Sequence, residues 1–311
     1  MSEEKTPAEI MKEAIDHGLT DFYVAYSGGK DSGIALDFMA NEFPQQFKGV
    51  VFVNTGIGTQ ATVDFVEEYC KKRNYPLHHL HAEDVKRKKI TKNGKIGDPF
   101  DFEHLVLSYG FPKQALHTVT MRWLKLFSIR KFVYERIALG ENPAIVSGIR
   151  KNESARRKTK AKKYIYNDGK MWFISPLYYK SNDWVMKYFI ENDIKRSPVY
   201  ETLHISGDCL CGCFAKKEEL KLLEMFHPEV FTEIKRLEKL VKEKGSPEAK
   251  ENSVWGIHNQ TTESVEAQDN LEAYVCSECF FDNTGKEADT KRFNDEMEDI
   301  DKKLEKMKND T

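Results

Sequence analysis

The apolar run Phe22-Tyr23-Val24-Ala25-Tyr26 breaks into Ser27-Gly28-Gly29-Lys30-Asp31-Ser32-Gly33, and Ile34-Ala35-Leu36-Asp37-Phe38-Met39 then follows with apolar residues at helical spacing. A strand, a glycine-rich loop and a helix in immediate succession form a β-loop-α unit. Backbone N–H groups at the start of such a helix have no intrahelical acceptor and sit at the positive end of its dipole, so the loop is built to hold an anion. Gly28 and Gly29 let the chain turn and approach a ligand closely, where a side chain would intervene. The G-x-x-x-x-G-K-[ST] spelling is not met, because the first glycine is missing and Asp31 separates lysine from serine. The stretch is a phosphate cradle of another kind.

The same alternation continues along the chain. Residues 22–26, 49–54, 76–81 and 144–148 read as strands, whereas GIALDFMANEF, TQATVDFVEEYCKKRN and TMRWLKLFSIRKFVYERIAL carry helical spacing. This predicts an α/β fold with a mostly parallel twisted sheet and helices on its faces, in which the loops beginning at Ser27, Thr55 and Gly148 converge beyond the strand ends. Past about residue 215 the pattern is helical, with an amphipathic pair in KKEELKLLEMFHPEVFTEIKRLEKLVKEK, a polar linker and a charged tail. The expected organisation is a nucleotide-binding α/β domain over 1–208, a helical cysteine-rich extension over 209–285 and a charged helix or tail over 286–311.

In 311 residues, 48 Lys and Arg offset 50 Asp and Glu, so no whole-chain attraction to a polyanion exists and any nucleic-acid argument is local. No apolar run approaches the roughly 20 residues that cross a bilayer, and the acidic, helical N-terminus is unlike a signal peptide. The expectation is a cytoplasmic protein without membrane contact. There the six cysteines stay reduced and read as metal ligands, nucleophiles or buried apolar residues.

The spelling S-G-G-x-D-S over Ser27–Ser32 resembles the pyrophosphate loop of the PP-loop ATP pyrophosphatase superfamily, whose adenine nucleotide alpha hydrolase-like members cut ATP between the α and β phosphates and adenylate a substrate. VFVNTGIGTQATVDFVEEYCKKRNYPL resembles the second strand and helix of the phosphoadenosine phosphosulfate (PAPS) reductase-like family, where the D/N-T-G at the strand end lies near the nucleoside. SGIRKNESARR is similar to the family's G-x-R-x-x-[EQ]-S-x-x-R segment. ISPLYYKSNDWVMKYFIENDIKRSPVYETLHISGDCLCGC is similar to the region leading into its cysteines, with Lys180 where the first tryptophan is expected. The resemblance spans about residues 20–215. It implies a nucleotide site of Ser27, Gly28, Gly29, Asp31, Ser32, Asn54, Thr55, Gly56, Gly148, Arg150 and Arg156, and a catalytic set of Lys30, Asp31, Lys125 and Arg150. Lys125 occupies the place of a family lysine that follows Cys-Thr; Thr120 fits, and Val119 replaces the cysteine.

Arg150, Arg156 and Arg157 suit forked recognition of phosphate or sulfate oxygens, and Asp31 suits Mg²⁺ arriving with ATP. The basic run from Arg150 to Lys163, extended by KRKKITKNGK at 86–95, is an expected docking surface for tRNA or another nucleic-acid acceptor. Strand alternation puts His79 and His81 on one face and His78 on the other, so the three are structural rather than one metal site.

CLCGC supplies Cys209, Cys211 and Cys213, and CSEC supplies Cys276 and Cys279. Two close groups at the ends of a helical excursion suit a four-thiolate site, with Cys209, Cys211, Cys276 and Cys279 as ligands of Zn²⁺ or a 4Fe-4S cluster. Cys213 is then a free thiol for sulfur handling or a core residue, and Cys70 packs in a helix. The expected reaction opens ATP to AMP and pyrophosphate and activates an acceptor for sulfur transfer, with a sulfur donor protein as partner. The alternatives are a sulfonucleotide reductase releasing sulfite, for which the family's C-terminal E-C-G-x-H is only echoed by Glu278-Cys279, and a non-catalytic nucleotide-binding subunit.

Overall fold

The computed structural model describes residues 4–88, 95–151, 163–216 and 218–256. Strands β1 (Asp21–Ala25), β2 (Phe47–Asn54), β3 (Leu77–His81), β4 (Pro143–Val146), β5 (Ile165–Asp168) and β6 (Met171–Ile174) form one sheet in the order β3-β2-β1-β4-β6-β5. β5 pairs antiparallel with β6, and every other pairing in the sheet is parallel. The mostly parallel α/β sheet expected from the sequence is therefore present, with an antiparallel edge that the strand reading missed. Its signal was the Asp168-Gly169 dipeptide between two short strand-forming runs, a hairpin marker, with Gly169 at φ +64°.

The period of two along each strand sorts side chains onto two faces. Phe22, Val24, Val50, Phe52, Ala144 and Val146 point into one core, which α1 (Pro7–Asp16), α2 (Lys30–Glu42) and α3 (Gln60–Arg73) cover with Ile10, Ile34, Leu36, Val63 and Val66. Tyr23, Val51, Val53 and Ile145 point into the other. That face is covered by α4 (Phe102–Tyr109), by α5 (His117–Met121), and by α6 (Phe127–Ala138), which a π-helical turn at Arg122–Leu126 joins to α5. A hydrophobic strand buried on both faces is what a parallel sheet requires.

The C-terminal helices continue the second core. In α8 (Glu219–Phe226) and α9 (Pro228–Lys244), which follow α7 (Asn182–Glu191), Leu223, Ile234 and Leu237 join Phe102 and Leu105 in one cluster with Trp255. No helix among the described residues is long and apolar enough to cross a membrane.

The topology fixes where a ligand can sit. From β1 the chain moves outward to β2 and β3, then returns to place β4 on the other side of β1, so the crevice at the carboxyl ends of β1 and β4 is the switch point.

Candidate functional site

Helices α1, α3, α4 and α7 each begin on a side-chain cap, supplied by Thr6, Thr59, Asp101 and Ser181. Helix α2 has none: its N-cap is Gly29, in extended backbone at φ −87°, ψ 167°. Its leading amides are thus offered to the crevice rather than consumed by a neighbouring oxygen. The loop before it is held from behind. Gly28 turns at φ +77° and its carbonyl accepts from the Ser197 amide at 2.8 Å, while a Cβ there would touch Thr62, Phe65 and Ser197 at 3.4 Å. Ser32 Oγ accepts from the Ser27 amide at 3.3 Å and donates to the Gly29 carbonyl at 3.1 Å, so the two serines expected to bind nucleotide also shape the loop.

Gly148 closes the crevice on the β4 side. A Cβ there would lie 2.4 Å from the Asp31 carbonyl carbon and 2.6 Å from the Ser32 amide nitrogen, so only glycine lets the β4 loop touch the start of α2. Arg150, two residues on, is 1% exposed. Its Nε donates to Asp31 Oδ1 at 2.6 Å and its Nη1 to Asn182 Oδ1 at 2.7 Å. The fork that the sequence assigns to phosphate is spent, as folded here, on Asp31 and on the first residue of α7. Lys30 Nζ lies 3.6 Å from the other Asp31 oxygen, and both side chains are buried. Asp31 thus has a cation beside each of its carboxylate oxygens. Arg156 and Arg157, with most of the basic run, lie outside the described residues.

The second loop is tied in by a residue the sequence reading did not single out, Asp208. Lys125 Nζ donates to Asp208 Oδ2 at 2.5 Å, with side-chain exposures of 7% and 4%. Ser206 Oγ donates to Asp208 Oδ1 at 2.7 Å, and Thr55 Oγ1 donates to the Asp208 carbonyl at 3.1 Å. A Cβ on Gly58 would meet that same carbonyl at 2.7 Å. Thr55 is fully buried in this contact; Asn54 Oδ1 instead accepts from the Gly56 amide at 2.9 Å and closes the turn at the end of β2. Lys125 sits in the π-helical turn, whose extra residue per turn re-aims a side chain relative to an ordinary helix. The cleft that results is lined by Ser27, Ser32, Gly148, Lys125 and Asp208 on its polar side and by Val51, Val53 and Ile129 on its apolar side.

Cys209, Cys211 and Cys213 continue from Asp208. The Leu210 amide donates to the Ile57 carbonyl at 2.6 Å, and Trp255 Nε1 donates to the Leu210 carbonyl at 2.9 Å. The indole covers Gly212 so closely that a Cβ would lie 2.8 Å from Nε1. The Cys209 thiol pulls the pKa of buried Cys211 down, but Cys213 and burial outweigh it, leaving it well above the ordinary value. Cys213 Sγ in turn faces Thr120 Oγ1 at 3.8 Å. Cys276 and Cys279 lie outside the described residues. Among the described residues no group of three or more Cys, His, Asp or Glu surrounds a single point as metal ligands do, and two of the four expected thiolate ligands lie outside them.

The histidines of β3 divide as alternation requires. His79 and His81 stack at 4.4 Å, with Glu67 Oε1 2.9 Å from His79 Nδ1, while His78 packs against Tyr23 and Phe132 on the opposite face. Cys70 is buried in α3 and desolvation pushes its thiol up to about 12, far from nucleophilic use.

The family model described as "Phosphoadenosine phosphosulfate reductase domain" matches residues 21–214. Among solved structures, a phosphoadenylyl-sulfate (PAPS) reductase from Candida auris in its phosphate complex is 16% identical, with 64% of this chain and 85% of that one covered and a TM-score of 0.43. The U34-tRNA thiolase NcsA from Methanococcus maripaludis with its 4Fe-4S cluster is 16% identical over 83% of this chain and 78% of that one, TM-score 0.37. The NH3-dependent NAD synthetase from Campylobacter jejuni is 12% identical over 84% and 95%, TM-score 0.40. No curated protein matches the sequence.

Proposed function

Because this chain belongs to the phosphoadenosine phosphosulfate reductase domain family, we propose that it binds the phosphate chain of an adenine nucleotide at the start of α2, opens ATP between the α and β phosphates, and so activates an acceptor for sulfur transfer. The observation that carries the reading is the uncapped N-terminus of α2 facing a cleft at the sheet's switch point. The amides following Gly29 and the Lys30 ammonium stabilise the departing pyrophosphate, as fixed donors aimed at developing charge do. Ser27 orients the phosphates through its hydroxyl. Arg150 acts at one remove, holding Asp31 and the loop in register. Lys125 lines the same cleft and supplies a second cation to the phosphates.

Pyrophosphate release from ATP in the presence of acceptor extracts tests this. Lys30→Met and Ser27→Ala should each lower turnover by about 10²–10³, the usual loss of one preorganised donor. Release that persists unchanged in both variants would take the loop out of the chemistry. A second reading rests on the family match itself: a sulfonucleotide reductase that cleaves PAPS and frees sulfite. Sulfite formed from PAPS with no pyrophosphate formed from ATP would select it.

A further inference from the structure

One buried hydroxyl joins the segments that hold the two sides of the cleft from behind. Thr62, in the first turn of α3, is fully buried, as are Thr59 and Ser197, and Ser206 is 1% exposed. Thr62 Oγ1 donates its single proton to the Ser206 carbonyl. Its 2.9 Å contact with Ser197 Oγ is therefore a donation from Ser197, and Thr59 Oγ1 donates to the same oxygen at 3.0 Å. A hydroxyl has one proton and two lone pairs, so Thr62 is saturated. Helix α3 does not need this hydroxyl, because its N-cap is Thr59, whose Oγ1 accepts from the Thr62 amide at 3.3 Å.

Both partners of Thr62 in the segment 197–208 lead to the cleft. The Ser197 amide donates to the Gly28 carbonyl at 2.8 Å. In a trans peptide the carbonyl and the following N–H point opposite ways, so this bond turns the Gly29 amide away from Ser197. Ser206 Oγ donates to Asp208 Oδ1 at 2.7 Å, and Asp208 holds Lys125. Gly207 packs directly onto the hydroxyls between them: it turns at φ +74°, and a Cβ there would lie 2.9 Å from Thr59 Oγ1 and 3.0 Å from Thr62 Oγ1.

We infer that Thr62 is a positioning residue for the phosphate chain of the nucleotide, keeping the Gly28–Gly29 peptide, through Ser197, in register with the Asp208–Lys125 pair, through Ser206. The inference rests on the nucleotide-binding reading above. Without the hydroxyl, the Ser197 proton and the Ser206 carbonyl are left buried and unpartnered, and each segment shifts to find a new partner. The Gly29 amide and the Lys125 ammonium then lose their fixed angles to the phosphates. The loss falls on the phosphates, because the apolar wall of Val51, Val53 and Ile129 takes no part in these bonds.

Wild type is compared with Thr62→Val, Thr62→Ser, Ser197→Ala and the double variant Thr62→Val/Ser197→Ala in the full chain. Calorimetry with ATP and with adenosine reads the affinities, hydrogen exchange over residues 27–33 reads the loop, and thermal melting reports folding. Thr62→Val should weaken ATP binding about tenfold, the worth of one hydrogen bond, and leave adenosine binding unchanged. It should also raise exchange over 27–33 without nucleotide, and Thr62→Ser should restore both values. Ser197→Ala should act in the same direction, and the double variant should lose no more ATP affinity than the worse single variant, as a shared bond requires. If Thr62→Val does not fold, Ser197→Ala carries the same comparison of ATP with adenosine. Equal losses for the two ligands, no rescue by Thr62→Ser, or additive single effects would overturn the inference. If wild type binds no ATP while exchange over 27–33 still responds to Thr62→Val and recovers in Thr62→Ser, the nucleotide reading fails and the link from Thr62 to the loop stands.

Discussion

Replacing Asp208 with alanine removes the carboxylate facing Lys125 in a pair whose side chains are 7% and 4% exposed. Little solvent reaches the site to screen the exposed charge, and the Ser206 hydroxyl loses its acceptor at the same time. Breaking a buried pair from one side costs about 3–5 kcal/mol, because a desolvated charge is left behind. At roughly 2–4 °C per kcal/mol for a domain of this size, the melting temperature of Asp208→Ala should fall by about 6–20 °C. The double variant Lys125→Met/Asp208→Leu should recover most of that loss, since an apolar pair of similar volume removes both desolvation penalties together. Urea unfolding followed by tryptophan fluorescence reads the stability, and ATP-dependent pyrophosphate release reads the site. The double variant should be stable yet inactive. An Asp208→Ala loss below about 1 kcal/mol would refute the buried-pair argument, and an active double variant would refute the placement of Lys125 in the chemistry.

Gly148→Ala drives a Cβ into the Asp31 carbonyl, which is backbone and does not yield; nucleotide binding measured by calorimetry should be lost while the sheet's circular dichroism stays. Arg150→Lys keeps the charge but not the two directions of donation to Asp31 and Asn182, so it should cost about 1.5–3 kcal/mol of stability in urea, close to the value of a hydrogen bond to a charged group. His78 and His227 both have pKa values below the usual 6.5, chiefly through burial, so the unfolded chain binds protons that the folded one refuses. Stability should therefore be fully present above about pH 6.5 and decline as the pH falls below it; His78→Gln with His227→Gln should flatten that slope in urea titrations at graded pH. Trp255→Phe loses the bond to the Leu210 carbonyl and should both destabilise the chain and raise the alkylation rate of Cys211.

Periodicity and punctuation carried much of this protein's architecture. Alternating residues such as Phe22 and Tyr23 announced strands buried on both faces, and the glycines after Tyr26 announced the turn into α2. The Ile165–Ile174 hairpin was overlooked because two four-residue runs give too little period to count, although Asp168-Gly169 marked it. Asp208 was invisible for a different reason. Its meaning lies in Lys125 and Thr55, 83 and 153 residues away in sequence, and no local pattern encodes a pairing at that separation.

By itself, then, the order of residues determined which segments are strands and helices and that one loop would present bare amides, because each of those outcomes depends on neighbours a few positions apart. Only the tertiary structure decided which charges meet. Arg150 turns to Asp31 instead of facing open solvent, Lys125 finds Asp208, and Cys213 faces Thr120, because burial selects partners by proximity in space and penalises any charge left without one.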